Sequence, residues 1–163
     1  MDKALSDSEI WQSLDGNSRI MSYQESLKYP TIDLLLGPSK AAVILYETSH
    51  NRGHWTCVFK RGPNIVSVFD SYGMFPDSQR SRINPKFRAL SGQTNAHLSY
   101  LLKASPYELE YNSTPFQKEG AGISTCGRWC VLRLRNRALS PDDFERRYYR
   151  QDGDRRVVDW VRV

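Results

Sequence analysis

Long apolar runs and paired cysteines are scarce in this sequence of 163 residues. No stretch approaches the roughly 18 consecutive apolar residues of a membrane-spanning helix, and the N-terminus lacks a basic segment followed by an apolar one. We therefore expect neither an integral membrane protein nor a secreted one. Only three cysteines are present, and a chain of this length does not need disulfides to fold. We expect reduced thiols, with at least one of them free for chemistry.

The composition is that of an ordinary globular protein. Hydrophobic residues make up 39% of the chain and charged residues 25%, which excludes disordered and collagen-like classes. No repeat or low-complexity tract divides the sequence. We predict a single domain that spans residues 1–163.

Positive charge is concentrated near the C-terminus. From Cys126 onward there are ten arginines, no lysine and six acidic residues, so most of the net charge of +5 lies there. Two interpretations stay open: solvated helix surfaces paired with neighbouring acids, or a phosphate-binding stripe for non-specific DNA binding. The stripe would consist of Arg133, Arg135, Arg137, Arg146, Arg147 and Arg150.

Apolar periodicity and turn residues predict alternating helices and strands. Ser6 and Glu9 have capping-box spacing at the start of a short N-terminal helix. Strands are predicted over 41–46, 54–60, 65–70 and 107–111, the second and third as a hairpin. Further helices are predicted near 23–27, over 96–103, from 126 onward and from 141 to about 149. Loops are predicted over 47–53, 76–93 (with a helical turn around 87–90) and 112–125, and the type of 157–163 stays open.

Cys126 is the candidate nucleophile. It stands between a polar loop and a predicted helix, where unpaired N–H groups and the positive end of the helix dipole favour a thiolate. Gly127 follows it and allows close approach of a substrate main chain. Cys57, in mid-strand, and Cys130, one helical turn after Cys126, are interpreted as packed structural residues.

His54 is the favoured base among three histidines. It begins a strand, whereas His50 lies in a polar loop and His97 opens an amphipathic helix. Asp70 ends the next strand, and a hairpin brings the start of one strand beside the end of the other. Asp70 is therefore placed to orient the imidazole and stabilise its charged form.

Gln117 is the candidate oxyanion donor. It lies in the loop before Cys126, so its side-chain amide can assist the backbone N–H of Cys126. No two cysteines have the short spacing of a structural zinc site, and the His50 to His54 segment is a loop containing glycine. The sequence thus predicts a cysteine nucleophile without a metal or cofactor.

These residues stand in a combination of short motifs. The motifs are Gly53-His54-Trp55, Phe69-Asp70-Ser71-Tyr72-Gly73, Gln117 and Ser124-Thr125-Cys126-Gly127-Arg128-Trp129-Cys130. From about residue 41 to 144 the chain resembles the adenovirus-type maturation proteases, especially those of large DNA viruses and Maverick/Polinton elements. The SUMO-deconjugating and related ubiquitin-like proteases share the same catalytic order.

The resemblance implies an α+β, papain-like cysteine protease fold of the adenain type, with a small mixed sheet packed between helices. It implies Cys126 as nucleophile, His54 as general base and acid, and Asp70 as orienting partner. Gln117 would stabilise the oxyanion. The implied activity is cleavage of viral structural-protein precursors during virion maturation, after small residues such as Gly. The implied location is the virion and the nucleus or cytoplasm of an infected cell.

Two other functions stay open. The same catalytic set would serve a deubiquitinase-like or deSUMOylase-like isopeptidase acting on ubiquitin-like conjugates. A non-enzymatic alternative is a basic virion protein that binds nucleic acid and retains Cys126 without using it. Replacement of Cys126 tests the non-enzymatic alternative, and an electrophilic ubiquitin tail tests the isopeptidase.

Overall fold

A computed structural model of the chain describes residues 3–120 and 122–163. Within those ranges lie five β-strands, eight α-helices and one 3-10 helix. The strands are β1 (Arg19–Ser22), β2 (Ala41–Ser49), β3 (Arg52–Lys60), β4 (Ile65–Phe69) and β5 (Glu108–Tyr111). The helices are α1 (Asp7–Ser13), α2 (Tyr23–Ser26), α3 (Ile32–Leu36), α4 (Pro85–Leu90), α5 (His97–Ala104), α6 (Cys126–Arg135), α7 (Pro141–Tyr148) and α8 (Gly153–Trp160), and the 3-10 helix is Ser78–Arg82.

The five strands form one mixed sheet in the order β1-β2-β3-β4-β5. The three central strands are antiparallel, and β1 and β5 pair with their neighbours in parallel. The predicted hairpin of β3 and β4 is confirmed, with Cys57 opposite Phe69 and Lys60 opposite Val66. β3 extends past the end of β4, so the first residues of β3 and the residue after Phe69 lie close together at the same end of the strands.

Helices cover both faces of the sheet, which explains the continuous apolar run of β2. Val43 and Leu45 pack on one face with residues of α1, α6, α7 and α8. Ala42 and Ile44 pack on the other face with residues of α2, α3 and α5. The fold class predicted from the sequence, a small mixed sheet packed between helices, is confirmed. No helix in the described parts of the chain is long and apolar enough to cross a membrane.

The segment 47–53 was expected to be a loop, and this prediction is wrong. β2 runs to Ser49 and β3 begins at Arg52, with an irregular register between Glu47 and Ser49. The side-chain amide of the distant Gln93 accepts from the N–H of Glu47 at 3.0 Å and donates to its carbonyl at 2.9 Å. These two hydrogen bonds hold the polar end of β2 in an extended conformation. Because Gln93 is distant in the chain, the local sequence does not reveal them.

Other short elements were absent from the prediction. The helical turn predicted around 87–90 is confirmed as part of α4. Strand β1 and helix α3 were not predicted, the 3-10 helix lies in the segment 76–93 expected to be mainly loop, and α8 covers part of the undefined C-terminal segment. Each is eight residues or shorter, so its stability comes from packing on the sheet rather than from its own periodicity. Residue 121, in the predicted loop 112–125, lies outside the described residues.

Arg133 was expected on an exposed helix face, but it is buried, with 1% of its surface exposed. Its guanidinium lies over the rings of Phe59 and Phe144, each at 4.9 Å from the centroid. It donates to the carbonyls of Asn136 and Leu139 beyond the end of α6. Arg133 therefore caps a helix in the core, and it does not belong to a phosphate-binding stripe.

Several exposed arginines near the C-terminus pair with aspartates within one helical turn. The pairs are Arg146 with Asp143, Arg156 with Asp152 and Arg162 with Asp159. Such exposed pairs contribute little to stability, and they match the interpretation of solvated helix surfaces.

The buried carboxylate of Asp77, directly before the 3-10 helix, hydrogen-bonds to the sheet and to neighbouring helices. Asp77 is 5% exposed, and its Oδ1 accepts hydrogen bonds from the hydroxyls of Tyr23 at 2.8 Å and Tyr46 at 2.7 Å. Its Oδ2 accepts from the N–H of Ser99 in α5 at 2.7 Å. Burial first, and the Asp77 charge second, raise the pKa of both tyrosines, which keeps their hydroxyls protonated as donors.

We expect Tyr23→Phe to lower the free energy of unfolding by about 1–3 kcal/mol, because Asp77 loses a buried donor and the N–H of Leu98 loses its acceptor. Urea unfolding followed by tryptophan fluorescence measures this change. Tyr100→Phe, at a residue that is 66% exposed, is the control and should change the same free energy by less than about 0.5 kcal/mol. Equal effects of the two substitutions would contradict the role of the Asp77 network.

Candidate active site

The structure brings the four predicted site residues together at one edge of the sheet. His54 lies near the start of β3, Asp70 directly follows β4, and Cys126 is the first residue of α6. His54, Gln117 and Cys126 line a cavity of about 250 Å³, and Asp70 lies behind His54. All four side chains are buried. The arrangement joins a helix end from one layer to a strand end of the sheet.

Asp70 holds the imidazole of His54. Its Oδ1 lies 2.8 Å from Nε2 of His54 and also accepts from the N–H of Tyr72 at 2.8 Å. Its Oδ2 accepts from the side-chain amide of Gln79 at 2.9 Å. Asn112 accepts from the backbone N–H of Asp70 at 3.0 Å and donates to its carbonyl at 2.6 Å. Both the carboxylate and its backbone are therefore fixed.

The chain turns sharply after Asp70, and this turn carries two further site residues. The N–H of Gly73 donates to the carbonyl of Asp70 at 2.8 Å, and Gly73 has φ +71°. A Cβ at Gly73 would lie 2.7 Å from the carbonyl oxygen of Ser113, so only glycine fits. The turn places the Tyr72 ring on the His54 ring, with centroids 4.4 Å apart and planes 12° apart. Tyr72 thereby covers one face of the imidazole.

The side chains of Cys126 and His54 interact through a hydrogen bond and through charge. Asp70 engages Nε2 of His54, so Nδ1 is the ring nitrogen left for the thiol. The backbone N–H of Trp55 also donates to the sulfur, at 3.4 Å, and the N–H of Gly127 adds a further hydrogen bond. Donors from both β3 and the start of α6 thus converge on the sulfur.

This environment favours a thiolate beside an imidazolium. Burial raises the pKa of Cys126, but the charge of His54 and the hydrogen bonds outweigh burial, and the pKa lies below the ordinary value of 9.0. Burial lowers the pKa of His54, but the Cys126 charge and the hydrogen bond with Asp70 raise it to about 9. The lowered pKa of the thiol and the raised pKa of the imidazole both favour the charged pair over the neutral one.

Gln117 is oriented by Ser71. The hydroxyl of Ser71 donates to Oε1 of Gln117 at 2.6 Å, and the carbonyl of Ser71 accepts from the N–H groups of Phe116 at 2.7 Å and Gln117 at 2.9 Å. Because Oε1 is engaged by Ser71, the amide –NH₂ of Gln117 is the group left for the cavity. It can donate there beside the N-terminal end of α6.

Sequence reasoning missed the supporting residues of this site. Gln79 lies in a segment that was expected to be a loop, and Asn112 carries no distinctive spacing. Only Ser71 and Tyr72 gave a signal, since both stand in the motif that follows β4. The other polar supports become recognisable once the fold brings them to Asp70.

The other two cysteines lie in the core, as predicted. Cys57 and Cys130 are free and buried. Burial, followed by a hydrogen bond with Cys57, raises the pKa of Cys130, so its environment does not activate the thiol in the way that of Cys126 does. Among residues 3–120 and 122–163, no three His, Cys, Asp or Glu side chains are grouped to hold a metal ion.

Comparison with curated proteins identifies a close relative. The chain is 44% identical over 143 residues to "Uncharacterized protein V9" of Sputnik virophage, which covers 88% of this chain and 82% of that protein. No family model matches the chain.

Solved structures show the fold. The ASFV pS273R protease has a TM-score of 0.55 at 14% identity, over 97% of this chain and 66% of that one. This chain therefore spans slightly less than two thirds of that protease. The SUMO protease Ulp1 gives a TM-score of 0.40 at 14% identity, over 98% of this chain and 80% of that one. The likeness to the ASFV protease confirms the papain-like cysteine protease fold.

The charged pair predicts the pH dependence of thiol alkylation. The rate of iodoacetamide reaction at Cys126 should decline only when the pH passes below the lowered pKa of the thiol, so the midpoint of its pH profile should lie below the ordinary 9.0. In His54→Ala, burial raises the pKa of the thiol and only the N–H groups of Trp55 and Gly127 oppose it, so the rise in rate should shift to higher pH. Mass spectrometry of the modified peptide measures both profiles.

Cys57 and Cys130 provide the internal control in the same samples. Both are buried without a neighbouring imidazole, so they should stay unmodified while Cys126 reacts. Identical pH profiles for the wild type and His54→Ala would show that His54 does not activate the thiol.

Proposed function

We propose a function for this chain from two premises: it belongs to the same protein family as protein V9 of Sputnik virophage, and its cavity joins a buried thiol to an imidazole. The function is that of a cysteine protease. The observation that carries the proposal is the contact series from Asp70 through Nε2 of His54 to the sulfur of Cys126. A packed structural cysteine needs no oriented imidazole, whereas a nucleophile does.

The geometry assigns each residue a step in peptide hydrolysis. The Cys126 thiolate attacks the substrate carbonyl carbon, and the carbonyl oxygen becomes an oxyanion. The imidazolium of His54 then gives its proton to the leaving amine, and the peptide C–N bond breaks to leave an acyl-enzyme. His54 next takes a proton from water, whose oxygen attacks the thioester carbon. The C–S bond then breaks, the new carboxyl group of the substrate leaves, and the Cys126 thiolate and His54 imidazolium are restored. Asp70 keeps the ring oriented and stabilises its positive charge.

The oxyanion requires donors that are in place before the reaction. The Gln117 –NH₂ is positioned by Ser71, and the N–H groups at the start of α6 lie beside it. We assign Gln117 and the backbone N–H of Cys126 to this role. Removing one such donor typically costs about 10²–10³ in kcat.

The substrates that we propose are viral structural-protein precursors, cut after small residues such as Gly during virion maturation. The virophage relative and the fold shared with the ASFV protease support a viral role. Assignment to the adenain type rests on the sequence motifs. The enzyme would act in the virion or in the infected cell.

Replacement of the nucleophile gives the decisive test. Cys126→Ala should abolish cleavage of capsid precursors while leaving the circular dichroism spectrum and unfolding midpoint close to those of the wild type, because it removes the sulfur and little volume. Mass spectrometry of new termini after incubation with the purified protein measures cleavage. Cys57→Ser and Cys130→Ser are the matched controls and should keep substantial activity.

The partner residues should show graded losses. His54→Ala should be nearly as damaging as Cys126→Ala, whereas Asp70→Asn should retain measurable activity, because Asp70 only orients and stabilises the imidazole. An inactive but folded Cys130→Ser together with an active Cys126→Ala would overturn the assignment. Covalent capture by an electrophilic ubiquitin tail, without precursor cleavage, would identify an isopeptidase instead.

DNA binding through the C-terminal arginines stays a prediction, now without Arg133. If the exposed arginines bind phosphates, fluorescence anisotropy should show duplex DNA binding with little sequence preference and a steep loss of affinity with salt. An Arg146/Arg147/Arg150→Gln variant should bind more weakly. Absence of binding near physiological salt, or unchanged affinity in the variant, would contradict DNA binding without affecting the protease proposal.

A further inference from the structure

Asp154 of α8 is a buried carboxylate that contacts the segments next to Gln117 and Cys126. Asp154, in the first turn of α8, is 5% exposed. Its Oδ2 accepts a hydrogen bond from the backbone N–H of Lys118 at 2.8 Å. Its Oδ1 accepts from the hydroxyl of Thr125 at 2.6 Å and from the indole N–H of Trp129 at 3.3 Å. Hydrogen bonds to an ionised acceptor are about twice as strong as those between neutral groups.

The partners of Asp154 are sequence neighbours of the reacting groups. Lys118 directly follows Gln117, and Thr125 directly precedes Cys126. One carboxylate therefore ties together both ends of the segment that separates the oxyanion amide from the nucleophile. The hydrogen bond from the indole of Trp129, in α6, fixes the same carboxylate against the helix that carries the thiol.

The described part of the segment between Lys118 and Thr125 has a permissive backbone. It contains Gly120 and Gly122, with φ of +150° and +81°, and glycine restricts the backbone least. Ser71 orients the Gln117 amide, and the bonds of its hydroxyl and carbonyl go to Gln117 and Phe116. Asp154 supplies a direct hydrogen-bonded tie between the two ends, beside the packing of Phe116 on Trp129 of α6.

We propose that Asp154 is a positioning residue that sets the place of the Gln117 amide relative to the Cys126 thiol. The inference rests on the protease function proposed above. Asp154 touches neither substrate nor the reacting atoms, and its effect passes through Lys118 and Thr125. Without it, the thiol would remain activated by His54 while the oxyanion donor would move away from the developing charge.

Asp154→Asn tests the role, because asparagine keeps the size but offers only one acceptor oxygen. Its –NH₂ must then face either the N–H of Lys118 or the donors on the Thr125 side. With a peptide spanning a cleavage site found for the wild type, we expect kcat to fall about 10- to 100-fold and KM to change less than about twofold.

A double-mutant cycle separates positioning from general damage. Gln117→Ala alone should lower kcat by about 10²–10³. Asp154→Asn combined with Gln117→Ala should be no slower than Gln117→Ala, because the placement of an absent amide has no further effect. The rate of iodoacetamide alkylation at Cys126 should be unchanged in Asp154→Asn, since that rate depends on His54.

Asp152→Asn is the matched control. Asp152 lies two residues before Asp154 and pairs with Arg156 on the exposed side of α8, so its replacement should leave kcat unchanged. If Asp154→Asn does not fold, Thr125→Val removes one of the three bonds at constant shape and enters the same cycle. We expect a smaller loss of kcat there, again absent in the Gln117→Ala background.

Three results would overturn the positioning role and leave the protease function standing: full kcat in Asp154→Asn, additive losses in the cycle, or a parallel fall in the alkylation rate. A wild-type protein that cleaves none of the precursors or conjugates, despite normal alkylation of Cys126, would overturn the protease function and this inference together. The two failures are therefore distinguishable.

Discussion

The contact between the start of α6 and the start of β3 is the constraint on which the rest of the site depends. A thiol buried alone would stay protonated, and an imidazole buried alone would stay neutral. In one cavity, the charge of His54 lowers the pKa of Cys126, and the charge of Cys126 raises the pKa of His54. Both shifts favour the charged pair. The helical layer and the sheet must pack in one register for this pair to exist, so the core and the chemistry share the same geometry.

Apart from the bond of Asp70 to the His54 imidazole, buried carboxylates hold the surroundings of this pair through uncharged donors. Asp70 fixes the imidazole and accepts from Gln79, and Asp77 accepts from two tyrosines and a helix N–H. Asp154 accepts from a backbone N–H, a hydroxyl and an indole. Neutral donors satisfy a buried charge without bringing another charge near the sulfur, so each segment is fixed while the field at Cys126 remains that of His54.

Much of the site was predictable because its chemistry is local in sequence. The Cys126-Gly127 pair at a helix start, and His54 and Asp70 at facing ends of two strands, needed only the hairpin and the helix boundary to be correct. The hairpin and this boundary were predicted from alternating apolar residues and a polar loop. Helix α7 was likewise predicted from residue 141, and in the structure it begins at Pro141 after the N-cap Ser140, whose side chain accepts from the N–H of Asp143.

What the sequence by itself determined is the position of most helices and strands, through periodicity and turn residues, and the four candidate residues, through short motifs whose family resemblance implied the fold class. The tertiary structure decided which residues support them. Gln79, Asn112 and Asp154 reach the site from segments far apart in the chain, and Arg133 turns into the core although its helix looks basic. A buried polar group is recognised by partners that satisfy it, and those partners become neighbours only when the layers pack.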